Sequence, residues 1–167
     1  RGNYVTQRVI HTFEPVCDCH SKILILGTIP SVKSREVQFY YGNPRNRFYK
    51  VLGTLLHCEF PNDIAGKKKM LLKNGIALFD VLRSCDIHAS ADASIRNPQA
   101  NDFSKIFDAA QIHMVFANGK KAYELYQRHC LPVTRRECIC LPSTSPANAA
   151  ADMDKLLASW AQILDYL

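Results

Sequence analysis

The fold is decided by residues 22–49, which run KILILGTIPSVKSREVQFYYGNPRNRFY. Its apolar run, Ile23–Leu26, is typical of a strand that is buried on both faces. Gly27 and Pro30 then interrupt the extended pattern, which predicts a long loop at the carboxyl end of this strand. Open α/β sheets bind their ligands at that end, so the loop is the first candidate for a functional site.

This loop carries three kinds of side chain that recognise nucleic acid. Cations can hold phosphate, amides can read the edge of a base, and flat aromatic rings can stack on the base. In chain order they are Lys33, Arg35, Gln38, Phe39, Tyr40, Tyr41, Asn43, Arg45, Asn46, Arg47 and Phe48. Their combination in one loop favours a nucleic-acid pocket over an ordinary connection.

The rest of the chain alternates between strands and helices. Further buried strands are predicted at residues 75–82, 113–117 and 137–141. Helical spacing of apolar residues predicts helices at residues 48–56, 66–73, 101–107, 121–129 and 153–167. This alternation predicts the fold class α/β, a three-layer α/β/α sandwich around a four-stranded parallel sheet, in a single domain over residues 1–167. Residues 1–20 are predicted to be an irregular arm, and residues 84–101 a polar connection.

Composition and charge narrow the class of protein. The chain is 47% hydrophobic and 22% charged, which is enough apolar material for one core, and its net charge is +6. That charge favours an anionic partner, of which DNA and RNA are the commonest. The sequence has no apolar run of membrane-spanning length and no signal-peptide pattern, so we expect a cytoplasmic, monomeric protein that binds no membrane.

Several kinds of chemistry lack their sequence signature. The seven cysteines include no CxxC pair, and the pairs Cys17/Cys19 and Cys138/Cys140 lack the usual spacing of zinc ligands. We therefore expect reduced, buried thiols, with Cys138 and Cys140 packing into the core from one face of a strand. Nucleotide-binding glycine loops, metal-binding histidine pairs and the GxSxG elbow of serine hydrolases are also missing from the sequence. We expect neither a metal nor a cofactor.

Polar features follow each of the predicted parallel strands. Asp80 closes an apolar strand, so its carboxylate must find a partner, either to tie the loop or to read polar groups of a ligand. Asn118-Gly119 follows the third strand. The segment after the fourth strand, residues 142–148, reads PSTSPAN and carries no charge. It is either an ordinary turn or a rigid loop whose hydroxyls and backbone grip phosphate or enter a groove.

At their places in the chain, these motifs resemble the uracil-DNA glycosylase superfamily. The motifs are GTIPS after the first strand and LPSTSPAN after the last. Residues 40–49, YYGNPRNRFY, are similar to the Pro-x-Asn-x-Phe-Trp segment of the mismatch-specific uracil/thymine branch. Residues 75–85, Asn101-Asp-Phe and the closing STSPAN are most similar to the hypoxanthine (deoxyinosine) DNA glycosylase branch. The resemblance extends from about Lys22 to Asn148.

The resemblance implies excision of a damaged base from double-stranded DNA without a metal or cofactor. The base is flipped out of the duplex, and its N-glycosidic bond is hydrolysed. By position, Phe48 matches the aromatic residue that stacks on the base, and Asp80 matches the reader of its edge. The other base contacts implied are Thr28, Ile29 and Tyr41. The DNA contacts implied are Ser31, Lys33, Arg45, Ser143, Thr144, Ser145 and Asn148.

Two motif positions differ from the superfamily pattern. Ile29 stands where the superfamily often has Asp or Asn, and Leu141 where it often has His or Asn; neither can do acid–base chemistry. We therefore expect Asn46, and second Asn43, to hold the attacking water. An amide cannot take a proton from water, so the base is expected to leave before the sugar cation is trapped.

Three functions remain open on this sequence. The first is a glycosylase that excises hypoxanthine ahead of uracil. The second is a mismatch-specific uracil/thymine glycosylase. The third is a catalytically inactive nucleic-acid-binding module that has kept the fold, since Ile29 and Leu141 remove the usual polar groups.

Overall fold

Two β-sheets form the framework of the chain. The structure, a computed structural model, describes residues 6–88 and 94–167. The strands are β1 (Thr6–Ile10), β2 (Ile23–Gly27), β3 (Ile76–Asp80), β4 (Leu82–His88), β5 (Arg96–Ala100), β6 (Met114–Asn118) and β7 (Cys138–Leu141). The helices are α1 (Val32–Val37), α2 (Phe48–Leu56), α3 (Ile64–Lys73), α4 (Ser104–Ala109), α5 (Lys120–His129), α6 (Leu131–Thr134) and α7 (Met153–Trp160), and a 3-10 helix follows at Ala161–Tyr166.

The larger sheet confirms the predicted fold class. Its four strands are parallel and lie in the order β3-β2-β6-β7. Side chains alternate along the central strand β2, so Leu24 and Leu26 enter a core with α4 and α5, whereas Ile23 and Ile25 enter a core with α2, α3 and α7. Helices thus cover both faces, and the run Ile23–Leu26 is fully buried because both faces of its strand are covered.

The smaller sheet corrects two predictions. Part of the predicted irregular arm forms β1, and part of the predicted polar connection forms β4 and β5, in the antiparallel order β1-β4-β5. Only Val9 is buried in β1, and β5 reads RNPQA, so neither outer strand carries an apolar alternation that would mark it in the sequence. Residues 1–5 of the arm and 89–93 of the connection lie outside the described residues.

Helix boundaries follow from local capping. The side chain of Asp63 accepts a hydrogen bond from Gly66 N at 2.9 Å, so α3 begins at Ile64 rather than at the predicted residue 66. Within the long loop, Ser31 caps the short helix α1, which the sequence pattern did not predict. None of the helices in residues 6–88 and 94–167 is both long and apolar enough to cross a membrane.

The cysteines differ in burial more than was predicted. Cys85 and Cys130 are buried, Cys17, Cys58 and Cys138 are partly buried, and Cys19 and Cys140 are exposed. The prediction that Cys138 and Cys140 both pack into the core is therefore wrong for Cys140. The reason is that β7 is the edge strand of the larger sheet, where Cys138 packs against a core cluster and Cys140 does not.

We expect this difference in burial to control thiol reactivity. Burial raises the pKa of Cys130 and of Cys138 to about 12, so almost no thiolate, the reactive form, is present at these residues at pH 8. Exposed Cys19 should react with an aromatic disulfide reagent in the native protein, whereas Cys130 should react only after unfolding in guanidinium. Mass spectrometry of the labelled peptides checks this, and native labelling of Cys130 as fast as that of Cys19 would contradict it.

Candidate active site

A cavity of about 330 Å³ lies where the parallel strands end. The last residues of β3 and β6 and the loops that follow β2 and β7 all reach it, as expected for parallel strands whose carboxyl ends share one edge. Most of the predicted site residues line the cavity, namely Thr28, Ile29, Ser31, Tyr41, Asn43, Asn46, Asp80, Ser143, Thr144 and Ser145. Phe48, Lys33, Arg45 and Asn148 do not.

Asp80 supplies a buried carboxylate at one side of the cavity. The residue is 4% exposed, and its Oδ2 lies 2.8 Å from His11 Nε2. Its backbone oxygen accepts a hydrogen bond of 2.9 Å from the side chain of Asn101. Gly27 lies opposite Asp80 in the register of β2 and β3, and a Cβ at residue 27 would lie only 2.5 Å from Asp80 Oδ1. A glycine at this position therefore leaves room for the carboxylate.

Tyr41 and Phe48 form one stacked pair, and only Tyr41 reaches the cavity. Their ring centroids are 3.9 Å apart with an interplanar angle of 25°. Phe48 is fully buried, because Tyr41 covers one face of its ring and Trp160 packs edge-on against it. The base contact predicted for Phe48 is thus unavailable in this arrangement. Of this pair, Tyr41 is the residue that lines the cavity, and the aromatic residues Phe13 and Tyr40 line it as well.

The hydroxyl of Tyr41 lies in an enclosed position. It is buried near Asp80 and Asn118 and makes no hydrogen bond of normal geometry with the described residues. Burial, followed by the nearby Asp80 carboxylate, raises the pKa of this hydroxyl above its ordinary value. Tyr41 is therefore neutral at physiological pH.

Asn46 is held by a short hydrogen-bonded network. Its Oδ1 accepts from Phe48 N at 3.0 Å, at the start of α2, and from Thr144 Oγ1 at 2.8 Å. Asn118 in turn donates to Thr144 Oγ1 at 3.0 Å and accepts from Thr144 N at 3.0 Å. The oxygen of Asn46 is thus fully engaged, whereas its amide nitrogen donates to none of the described residues. This nitrogen is the group that Asn46 can offer to water or substrate.

Thr144 differs from its predicted role. It was expected to contact DNA, but the residue is 0% exposed and its hydroxyl is bound between Asn46 and Asn118. Its contribution is to fix those two asparagines. Ser143 and Ser145 remain partly exposed, and Ser143 Oγ accepts from Ser145 N at 3.1 Å. Asn148 Nδ2 donates to Ser143 O at 3.0 Å, which closes the loop on itself.

Arg47 joins this loop to α2. Its guanidinium donates to the carbonyl oxygens of Ser145 and Asn148, each at 3.0 Å, and to that of Ala151. Its backbone N donates to Thr144 O at 3.1 Å. The phosphate contact suggested by its charge is therefore not its role in this structure, because three carbonyls engage the side chain. Of the other predicted DNA contacts, Arg45 is exposed, and Lys33 is exposed and lies 3.4 Å from Glu36.

The two apolar motif positions are placed differently. Leu141 is fully buried at the end of β7 and cannot contact a ligand. Ile29 lines the cavity and packs against the core beneath it. His11 is the residue of this site that the sequence did not indicate, because it follows a strand that the pattern did not predict. Asn118 was noted in the sequence as the polar residue after the third predicted strand, and in the structure it ends β6 and donates to Thr144.

The fold and this site define the class of protein. A family model of the uracil DNA glycosylase superfamily matches residues 14–167. The chain belongs to this superfamily, as the motifs at its strand ends indicated.

Individual relatives agree with this placement. A hypoxanthine DNA glycosylase of Methanosarcina acetivorans is 37% identical over 142 residues, covering 81% of this chain and 86% of the relative. A hypoxanthine DNA glycosylase of Methanosarcina barkeri is 32% identical over 155 residues, covering 90% and 94%. The solution NMR structure of a Methanosarcina acetivorans protein assigned as a uracil DNA glycosylase has a TM-score of 0.77 at 33% identity, covering 90% and 93%.

The contacts of Arg47 predict a measurable effect on stability. Replacing Arg47 by Ala leaves three carbonyls without their charged donor, so the free energy of unfolding should fall by roughly 2–4 kcal/mol. Arg45→Ala is the matched control, since Arg45 is exposed two residues away and its loss should cost less than about 0.5 kcal/mol. Urea denaturation of both variants measures the difference. Equal stability of the two variants would show that Arg47 does not hold the loop.

Proposed function

We propose that this chain is a monofunctional DNA glycosylase that flips a deaminated base out of duplex DNA and hydrolyses its N-glycosidic bond. Hypoxanthine is the preferred base and uracil the second. The proposal is supported by membership of the superfamily and by the names of the two relatives. The observation that carries it is the buried carboxylate of Asp80 beside the ring of Tyr41, in a cavity of about 330 Å³.

Asp80 suits the edge of a deaminated base. Hypoxanthine and uracil both carry a ring N–H beside a carbonyl, whereas adenine and cytosine carry a ring nitrogen with a lone pair at that position. An ionised carboxylate can only accept hydrogen bonds, so Asp80 can accept from the ring N–H of the two deaminated bases. It would repel the ring lone pair of adenine and cytosine, the parent bases, whereas guanine and thymine carry the same ring N–H and are not rejected by this contact.

Tyr41 takes the stacking role in this proposal. Its ring lines the cavity on one side and is supported by the fully buried Phe48 on the other. Stacking between a base and an aromatic side chain is worth about 1–3 kcal/mol, which helps to hold the flipped base. Phe48 then acts as the rigid backing of Tyr41.

Asn46 is proposed to hold the attacking water through its amide nitrogen. Because its oxygen is engaged by Phe48 N and Thr144, the side chain has one fixed orientation. An N–H donor orients water without removing a proton, which fits a path in which the base departs first. Asn43 also lines the cavity and is the second candidate for this role.

Hydrogen bonds to the departing base provide the remaining stabilisation. Negative charge develops on the base as the glycosidic bond breaks, and fixed donors in a site of low polarity stabilise it without reorganising. The Tyr41 hydroxyl is not such a donor, because it is buried and its ring is assigned to the face of the base. Asp80 is a carboxylate that lines the cavity, and the proposal assigns it to the edge of the base and not to the water.

An excision assay tests the proposed function. Duplexes that contain a single inosine, a single uracil or a G·T mismatch are incubated with the protein and then cleaved with alkali. We expect strand breaks at inosine, fewer at uracil and none at the mismatched thymine. Preferred cleavage at the mismatch would instead support a mismatch-specific uracil/thymine glycosylase. Tight binding of inosine duplex without any cleavage would support the inactive binding module and overturn the enzymatic proposal.

The role of Asn46 predicts a separation of catalysis from binding. Asn46→Ala should lower single-turnover excision of hypoxanthine by about 100-fold or more, as removal of one fixed polar group does in other active sites. Its affinity for inosine-containing duplex should stay within about threefold, because Asn46 faces the reacting centre and not the phosphates. Asn43→Ala is the comparison variant. If Asn43→Ala loses more activity than Asn46→Ala, the water is held by Asn43.

A further inference from the structure

A histidine that follows a strand of the smaller sheet forms a hydrogen bond with the Asp80 carboxylate in the cavity. His11 follows β1, and β1 pairs with β4 so that Ile10 lies opposite Ser84. The backbone N of His11 donates to Arg83 O at 2.7 Å, which continues this pairing to His11 itself. His11 is thereby placed next to Asp80, which precedes β4 by two residues, and its Nε2 lies 2.8 Å from Asp80 Oδ2.

We propose that His11 is a positioning residue that sets base selection: its hydrogen bond to Asp80 Oδ2 fixes the rotation of the carboxylate and turns Oδ1 toward the base. This inference rests on the proposed function, because it concerns the base that the same cavity receives. It assigns a part of the active site to a residue that follows β1, a strand that lies outside the motifs that mark the superfamily in this sequence.

Burial makes this pair rigid. The side chains of His11 and Asp80 are 2% and 6% exposed. The imidazole is packed between the rings of Phe13 and Phe79, with centroids 4.5 and 5.1 Å away, and Tyr40 lies at 5.9 Å. An imidazole enclosed on these sides keeps one orientation, so Nε2 remains directed at Asp80.

The two oxygens of Asp80 have different surroundings. Oδ2 is bound to His11, whereas Oδ1 lies against Gly27 and accepts no hydrogen bond from the described residues. Asp80 itself lines the cavity. With Oδ2 occupied, a base in the cavity meets one free acceptor, and rotation of the carboxylate would break the bond to His11.

The orientation of the carboxylate decides which base fits. A carboxylate oxygen can accept from the ring N–H of hypoxanthine, whereas it would repel the ring lone pair of adenine. Because Oδ2 is held by His11, Oδ1 is the oxygen that is left for the base.

The test compares variants that keep or remove the donor at the position of Nε2. His11→Phe preserves the ring but not the donor, and His11→Gln preserves a donor at similar reach. His11→Asn carries an amide that is too short to reach Asp80, and it serves if the Phe variant does not fold. Val9→Ala is the matched control, since Val9 is a buried residue of the same strand that does not line the cavity.

The readout is binding, so it does not depend on catalysis. Equilibrium affinities are measured for duplexes that carry a 2′-fluoroarabino analogue of deoxyinosine or of deoxyadenosine, which resist hydrolysis. We expect wild type, His11→Gln and Val9→Ala to prefer the inosine analogue. His11→Phe and His11→Asn should lose about 10- to 100-fold of that preference, the worth of one hydrogen bond to a charged group.

The outcomes separate this inference from the proposed function. An unchanged preference in His11→Phe or His11→Asn, with wild type active on inosine, overturns the inference and leaves the proposed function standing. Loss of preference in Val9→Ala to the same degree also overturns it, since the effect would then follow stability. A wild type that excises no base but prefers inosine, and loses this preference in His11→Phe, supports the inference while the enzymatic proposal fails.

Discussion

The hydroxyl of Thr144 is the point on which the site depends. It donates to Asn46 and accepts from Asn118, and thereby joins the loop after β7 to the end of β6 and to the start of α2. Fully buried polar groups contribute only when they are satisfied, and here each hydrogen bond fixes the orientation of an amide. Arg47 holds the same loop through three carbonyls. The side chains around the cavity are thus oriented before any ligand arrives, which is the condition for electrostatic catalysis.

In the proposed site, the base is held by stacking on Tyr41 and by a hydrogen bond to Asp80. Tyr41 lies on Phe48, which is fixed in the core beside Trp160, so a base that enters the cavity meets a supported ring. Burial of the Asp80 carboxylate costs free energy unless the carboxylate is hydrogen-bonded, and His11 forms that hydrogen bond. Ile29 and Leu141 carry no acid–base group. Stabilisation of the departing base, rather than activation of the water, must therefore provide most of the rate gain.

Much of this arrangement could be predicted from the sequence, for a physical reason. Ile23–Leu26 is buried on both faces, so its strand shows as a continuous apolar run, and parallel topology then gathers the polar residues that follow each strand. The smaller sheet could not be predicted, because its outer strands are mostly exposed and lack alternation. His11 is positioned by that sheet, so it could not be predicted from the sequence either. Phe48 was a different case: it belongs to the apolar stripe of α2, together with Val51 and Leu52, and that stripe faces the core.

In the proposed site, a deaminated base stacks on Tyr41 and donates a hydrogen bond to Asp80. The most direct test of this arrangement is a crystal structure of the protein with duplex DNA that carries the 2′-fluoroarabino analogue of deoxyinosine. We expect hypoxanthine stacked on Tyr41, with its ring N–H within hydrogen-bonding distance of Asp80 Oδ1 and with Oδ2 still bound to His11. A flipped base that stacks elsewhere, or that leaves Asp80 without contact, would contradict it.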